Sequence, residues 1–275
     1  MSVNTTGNLQ KMKARLESPV SYSLPLGDTM VPLNALINKK ISLTFSGKIN
    51  CVYCGRETNK SFNQGYCYPC FQKLAQCDSC IVSPEKCHYE SGTCREPLWA
   101  DEFCMQDHIV YLANSSGIKI GITRASQIPT RWVDQGAVQA LPVFRVRNRQ
   151  QSGFLELLFK QHISDKTNWR AMLKGETENL DLEQHRQHLL AECSEEIQAL
   201  QDRFGIHAIS ILTGMKSISI DYPVESYPAT VTSLNFDKET KIEGKLEGIK
   251  GQYLILDCGV LNVRKFGGYE VNLQA

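Results

Sequence analysis

Residues 108–123 read HIVYLANSSGIKIGIT: two short apolar runs, His108 to Ala113 and Ile118 to Thr123, joined by Asn114-Ser115-Ser116-Gly117. Asn, Ser and Gly tolerate the backbone angles of tight turns, so the stretch reads as a strand, a turn and a returning strand. Downstream, Gln127 to Asp134 starts a short helix, with Pro129 in its first turn and Gly136 at its end. Val138 to Val146 reads as a third strand. Gly153 to Ile163 reads as an amphipathic helix whose Leu155, Leu158 and Phe159 fall on one side. Two strands, a helix, a strand and a helix form a compact α/β unit.

Upstream lies a different chemistry. Nine of the 11 cysteines fall between Cys51 and Cys104, in a stretch with little helical or strand periodicity. Cys51-Val-Tyr-Cys54 and Cys67-Tyr-Pro-Cys70 form a C-x2-C-x12-C-x2-C pattern. Two-residue spacing lets two thiolates wrap one side of a tetrahedral ion, and a second such knuckle closes it. This is zinc-ribbon spacing, and four thiolates leave no open position, so the metal is expected to fold the segment and not to catalyse. A second group follows: Cys77, Cys80, Cys87, Cys94, Cys104 and His108. Zinc on Cys77, Cys80 and two later ligands is the leading expectation. Cys87 with Cys94 would make a compact loop site, whereas Cys104 with His108 would tie the ion to the next strand. An iron–sulfur cluster competes, because enough cysteines are present without any His. Cys193, on the apolar stripe of its helix, and Cys258, in a strand, read as core.

The flanks are simpler. Val20 to Leu24, Met30 to Leu33 and Ile41 to Phe45 are strand-like. Residues 182–204 read as one helix ended by Gly205, with Leu189, Leu190, Cys193, Ile197, Leu200 and Phe204 at helical spacing. Between Ser217 and Leu273, short strand candidates alternate with Pro and Gly, suggesting a small barrel that the first 50 residues could complete. Thirty Lys+Arg against 29 Asp+Glu exclude a wholly basic nucleic-acid coat but not a local basic face. Arg145, Arg147 and Arg149 alternate after the third strand, where they could meet a nucleic-acid backbone. No apolar run approaches a membrane span, and MSVNTTGNLQ lacks the regions of a secretory signal. A reducing, cytoplasmic setting is the expectation, which favours metal over disulfides.

The α/β unit resembles the GIY-YIG nuclease superfamily over about residues 108–172. Ile109-Val110-Tyr111 stands for the first motif and Lys119-Ile120-Gly121 for the second, with Lys119 where the family places Tyr. Arg131 matches an Arg on the first helix, and Glu156 a metal-binding Glu on the second. The resemblance implies that Tyr111 helps activate a water and that Arg131 holds the scissile phosphate. It implies that Glu156 binds one divalent cation, Mg²⁺, and that Lys119 acts as a base or touches phosphate. The whole chain also resembles an uncharacterised prokaryotic family that joins a Cys-rich segment to such a module.

The expected fold class is α+β: a GIY-YIG-like α/β module, a zinc-ribbon-like Cys-rich region and a flanking small β barrel. The expected segments are 1–50 (N-terminal β, able to join the C-terminal barrel), 51–107 (Cys-rich, zinc-binding), 108–175 (GIY-YIG-like), 176–205 (acidic, helical) and 206–275 (β-rich). The expected function is nucleic-acid binding, to DNA or RNA, with Mg²⁺-dependent phosphodiester cleavage and two structural zinc ions. The rivals are a non-catalytic binding protein on the same scaffold and an iron–sulfur or zinc enzyme acting on RNA.

Overall fold

The structure is a computed structural model that describes residues 3–163 and 167–275. The N-terminal part supplies β1 (Asn4–Asn8), a small meander of β2 (Lys13–Arg15), β3 (Ser21–Leu26) and β4 (Thr29–Pro32), and the long β5 (Lys40–Ile49). In the Cys-rich region, α1 (Tyr68–Lys73) and α2 (Pro97–Phe103) are separated by short 3-10 turns at Ala75–Cys77, Ser79–Ile81 and Pro84–Lys86.

The α/β unit follows: β6 (His108–Asn114), β7 (Ile118–Arg124), α3 (Thr130–Asp134), β8 (Gln139–Val146) and α4 (Arg149–Phe159). β6 pairs β7 through a three-residue loop, Asn114 facing Ile118, and its other edge pairs β8. Every residue of β6 is buried, as befits a central strand covered on both faces. The Asn148 side chain accepts the Gln151 N–H at 2.9 Å and so starts α4.

Next come α5 (Trp169–Lys174), α6 (Leu182–Glu192) and α7 (Ser194–Phe204). The single helix expected over 182–204 is two. The chain leaves helical geometry at Cys193 (φ −103°, ψ 20°), whose thiol is fully buried. The bend lets both halves lay apolar side chains on one core with β6, β8 and α4. β9 (Ile209–Ile211) and β10 (Ile218–Ser219) both hydrogen-bond to β8, giving the unit a five-stranded sheet.

The chain ends in β11 (Lys241–Lys250), β12 (Tyr253–Leu256), β13 (Gly259–Asn262) and β14 (Tyr269–Gln274). These join β1 and β5 in a six-stranded sheet of order β1-β14-β5-β11-β12-β13. The architecture is therefore mixed α/β built on sheets, and the expected barrel does not close: among the described strands, β1 and β13 remain opposite edges. One face finds its cover elsewhere, because Leu246, Leu254 and Val271 share a core with Tyr111, Trp132 and Ala140 of the α/β unit. Within the stretch of short strand candidates, residues 229–234 run as loop with a single bridge from Ser233 to Val260. Cys258 sits at the turn between β12 and β13, exposed and not core. No helix among the described residues is long and apolar enough to cross a membrane.

Candidate functional site

A cleft of about 480 Å³ opens where the N-terminal part, the Cys-rich turns, the α/β unit and the C-terminal sheet meet. Lys11 comes from the N-terminal part, and Ile81, Val82 and Pro84 from the Cys-rich turns. Arg124 ends β7, and Arg131 and Asp134 lie on α3. Arg149 and Glu156 lie on α4, and Arg264 on the turn after β13. The described lining holds five cationic side chains and two carboxylates. Asp134 is largely spoken for: it forms an ion pair with Lys11 and accepts the Gln252 amide at 2.9 Å. Glu156 meets Lys160 at 3.5 Å, with 15% of its side chain exposed.

The arginines sense one another. Burial lowers the pKa of Arg149, with Arg131 adding to the shift and Cys104 and Glu156 opposing it. Burial likewise lowers that of Arg264, and Arg131 again contributes. Like charges gathered in a concave, partly desolvated site disfavour themselves and favour an anion between them.

Tyr111 lies one layer beneath. Its ring crosses directly over Gly121, its partner on β7; a Cβ there would stand 2.7 Å from the phenolic carbon and oxygen. The hydroxyl donates to Gln135 Oε1 at 2.7 Å, and the ring packs edge-on against Trp132. Burial pushes the phenol up to about 12, although Arg131, which hydrogen-bonds it, pulls the other way. Lys119 shares that face of the hairpin. It is only 5% exposed and donates to Thr167 Oγ1 at 2.7 Å. Burial first, and Arg131 second, bring its ammonium down to about 8. Of the four residues singled out by the resemblance, Arg131 and Glu156 thus line the cleft, whereas Tyr111 and Lys119 are buried and do not.

The three alternating arginines part company. Arg145 is exposed and forms an ion pair with Asp107, Arg147 is exposed, and Arg149 turns into the cleft, donating to the Ile81 carbonyl at 2.6 Å. Lys11, Arg124 and Arg264 carry no signal in the sequence. Each is a lone polar residue, and only the tertiary fold brings it to the cleft.

The Cys51, Cys54, Cys67 and Cys70 sulfurs all lie within 4.8 Å of one another. The turn 51–55 is closed by Gly55, whose N–H reaches the Cys51 carbonyl at 2.9 Å and whose φ is +72°. Cys67 stands just before α1. Cys54 and Cys67 Sγ are 3.7 Å apart, close to the roughly 3.8 Å edge of a tetrahedron with metal–sulfur bonds of about 2.3 Å. Burial raises the Cys51 thiol, but backbone amides of Cys54, Cys67 and Tyr53 outweigh it and bring it down to about 6. A preformed, amide-lined set of four sulfurs could bind a metal ion.

The second group sorts itself. Cys80, Cys87, Cys94 and Cys104 line one enclosed cavity of about 10 Å³ together with Asp78 and His88. Burial raises the Cys80 thiol to about 11, with Asp78, Cys87, Cys104 and Cys94 adding to it. Cys77 and His108 do not line that cavity. Cys77 Sγ meets the Asn63 amide at 3.6 Å, and His108 Nδ1 meets the Gln106 carbonyl at 2.7 Å. Asp78, Cys80 and His88 also bring ligand atoms within 4.8 Å of one another.

Neither a curated protein nor a solved structure matches the chain. A family model does, from residue 38 to residue 271, which takes in the cysteines, the α/β unit and most of the six-stranded sheet. The chain belongs to that family, described as "Protein of unknown function (DUF2797)".

Proposed function

We propose that the cleft is a phosphodiester site for nucleic acid, of GIY-YIG kind, and that it supports cleavage with a divalent cation held by Glu156. The observation that carries this reading is the convergence of Arg131, Arg149 and Arg264 around a cleft that also holds the Glu156 carboxylate, with Arg131 hydrogen-bonded to the Tyr111 phenol. Guanidinium groups suit the non-bridging oxygens of a phosphate, which they bind in a fork. A carboxylate oxygen suits a hard cation such as Mg²⁺, which when bound shields negative charge on the phosphate and leaving oxygen.

The chain's own residues do the rest. Arg131, pinned by the Tyr111 phenol, stabilises charge as it develops on the phosphate. Arg149 and Arg264 hold the backbone in register. The buried Tyr111 and its Gln135 partner position Arg131, and Gly121 is the residue that lets the phenol lie flat on β7. The Cys51/Cys54/Cys67/Cys70 set is read as a structural zinc site, since four thiolates leave no coordination position for a substrate. Binding without cleavage is the second reading, favoured by the burial of both Tyr111 and Lys119.

One experiment separates the two. The parent protein is incubated with Mg²⁺ and labelled single- and double-stranded DNA and RNA, beside Glu156→Gln. The nuclease reading expects cleavage by the parent, its loss in Glu156→Gln, and retained binding. Binding by both with cleavage by neither establishes the second reading, and binding by neither ends both.

A further inference from the structure

We infer that a groove adjoining the cleft receives an unpaired nucleobase, whose edge is read by the side-chain amides of Gln10, Gln64 and Gln76. This use of the groove rests on the phosphodiester role proposed for the cleft, and it specifies the substrate as a strand whose bases are free of a partner. The groove has a volume of about 850 Å³, within the roughly 300–1,000 Å³ of small-ligand sites. Lys11, Ile81 and Arg264 line both spaces, so the two adjoin.

Charge separates them. The described lining of the cleft holds five cationic side chains. To the shared Lys11 and Arg264 the groove adds one carboxylate, Glu270, and six side-chain amides. Three of the amides are occupied. Asn8 donates to Asn50 Oδ1 at 3.0 Å and to the Gly268 carbonyl at 2.8 Å, and Asn50 donates to the Gly55 carbonyl at 3.2 Å. Asn63 meets Cys77 Sγ at 3.6 Å. Among the described residues, the side chains of Gln10, Gln64 and Gln76 have no hydrogen-bond partner. Each therefore offers a carbonyl oxygen beside an NH₂ group, the pairing that matches adjacent donors and acceptors on a base edge.

A ligand with an anionic part for the cleft and a flat, neutral part with polar edges for the groove is a nucleotide. Tyr66 lines the groove, half-buried, and lies close enough to Arg264 to affect its guanidinium. A phosphate held by Arg264 thus brings its base towards the Tyr66 ring. Aromatic rings stack bases of any identity, whereas amides distinguish them. In a duplex both faces of a base are stacked and one edge is paired, so ring and amides together call for a single strand.

The groove is built into the fold. A Cβ on Gly267 would stand 2.3 Å from the Gln64 carbonyl oxygen, and one on Gly268 2.2 Å from that of Asn50, so these two glycines let the Cys-rich loop close on the six-stranded sheet. The Asn50 N–H donates to the Gly268 carbonyl and the Gly268 N–H to the Leu9 carbonyl, both at 2.8 Å, which joins three distant segments in one wall. Gln64 is held at φ +67°, a left-handed backbone that Gln adopts only where its surroundings impose it.

The test is fluorescence anisotropy of the full chain with labelled oligonucleotides of one length: single strands of A, of C and of U or T, a strand whose sugars carry no base, and a blunt duplex. The parent should bind its preferred single strand about tenfold or more tighter than the abasic strand, and tighter than the duplex. Its affinities for the three base types should differ by about fivefold or more. Gln10→Ala with Gln76→Ala should narrow that difference and leave the salt slope, which phosphate contacts set, unchanged. Tyr66→Leu should lower affinity for the base-bearing strands towards that of the abasic one, and Tyr66→Phe, which keeps the ring, should not. Equal affinity of the parent for abasic and base-bearing strands overturns the inference, as does a double Gln variant that keeps the full difference among bases. If Arg149→Ala still flattens the salt slope in either case, the cleft keeps its proposed role and the groove alone loses its own. Binding to none of the oligonucleotides ends both. The comparison of strands on the parent decides the matter even if the Tyr66 variants fail to fold.

Discussion

Lys119 is a cation placed where the fold does not favour one. Burial, assisted by Arg131, brings it from an ordinary value of 10.5 down to about 8. Between those values the unfolded chain holds a proton that the folded chain has released, so this residue makes stability rise with pH across that window. Below pH 8 both states are protonated and the full penalty applies, on the order of 3 kcal/mol for this displacement. Lys119→Met keeps the length and removes the charge, and loses only the bond to Thr167. Its gain over the parent should be about 1–3 kcal/mol at pH 7 and should shrink towards zero by pH 10, measured by denaturant unfolding at each pH. A gain that stays constant across that range would show that Lys119 is not the titrating group. In the sequence, Tyr111, Lys119, Arg131 and Glu156 are picked out as a set by the resemblance to the GIY-YIG superfamily and not by spacing alone. Depth is not legible. Whether Tyr111 and Lys119 open to solvent depends on the sheet that packs over them, and β11, β12 and β14 lie more than 100 residues downstream.

At the scale of elements, α4 and the turn Pro84–Lys86 meet so closely that they constrain a single residue. A Cβ on Gly153 would stand 2.6 Å from the Glu85 backbone nitrogen and 2.7 Å from Pro84 Cβ. Two effects of Gly153→Ala oppose one another. Ala is the better helix former by roughly 0.5–1 kcal/mol, whereas forcing backbone apart in a packed contact costs about 1–3 kcal/mol. The obstacle is main chain and not the flexible end of a side chain, so the clash should win. A net loss of about 1–2 kcal/mol is expected by chemical denaturation. Stabilisation instead would mean that the turn yields freely. A Gly inside a helical pattern gives no hint of this partner, since the contact spans some 68 residues of sequence. The elements themselves are more legible than their neighbours: β3, β5, β6, β7 and β8 fall close to their expected places. Cys193 breaks the helix where the periodicity continues unbroken, and the short strands after residue 240 build an open sheet because the α/β unit covers one of its faces.

For the whole molecule, the distribution of charge matters more than its total. The chain has a formal net charge of only +1, yet its cleft gathers cations from the N-terminus, β7, α3, α4 and the C-terminal turn. Nucleic-acid affinity of such a protein should depend on salt in proportion to the phosphates neutralised, with a slope of about 0.9 in log–log form for each contact on duplex DNA. Arg149 and Arg264 lie in the cleft, partly desolvated and close to Arg131, so each is expected to carry one such contact. Arg149→Ala or Arg264→Ala should therefore weaken binding and flatten the salt dependence by close to one contact, and the double variant by about two. Arg145 is the control, because it lies outside the cleft and is already paired with Asp107. Arg145→Ala should leave the slope unchanged, although spacing alone groups it with Arg149. The reverse pattern, with the slope falling for Arg145 and Arg147 and holding for Arg149 and Arg264, would move the nucleic-acid path out of the cleft and onto the exposed edge of β8. In that case a cation bound by Glu156, as proposed, would have no phosphate to act on.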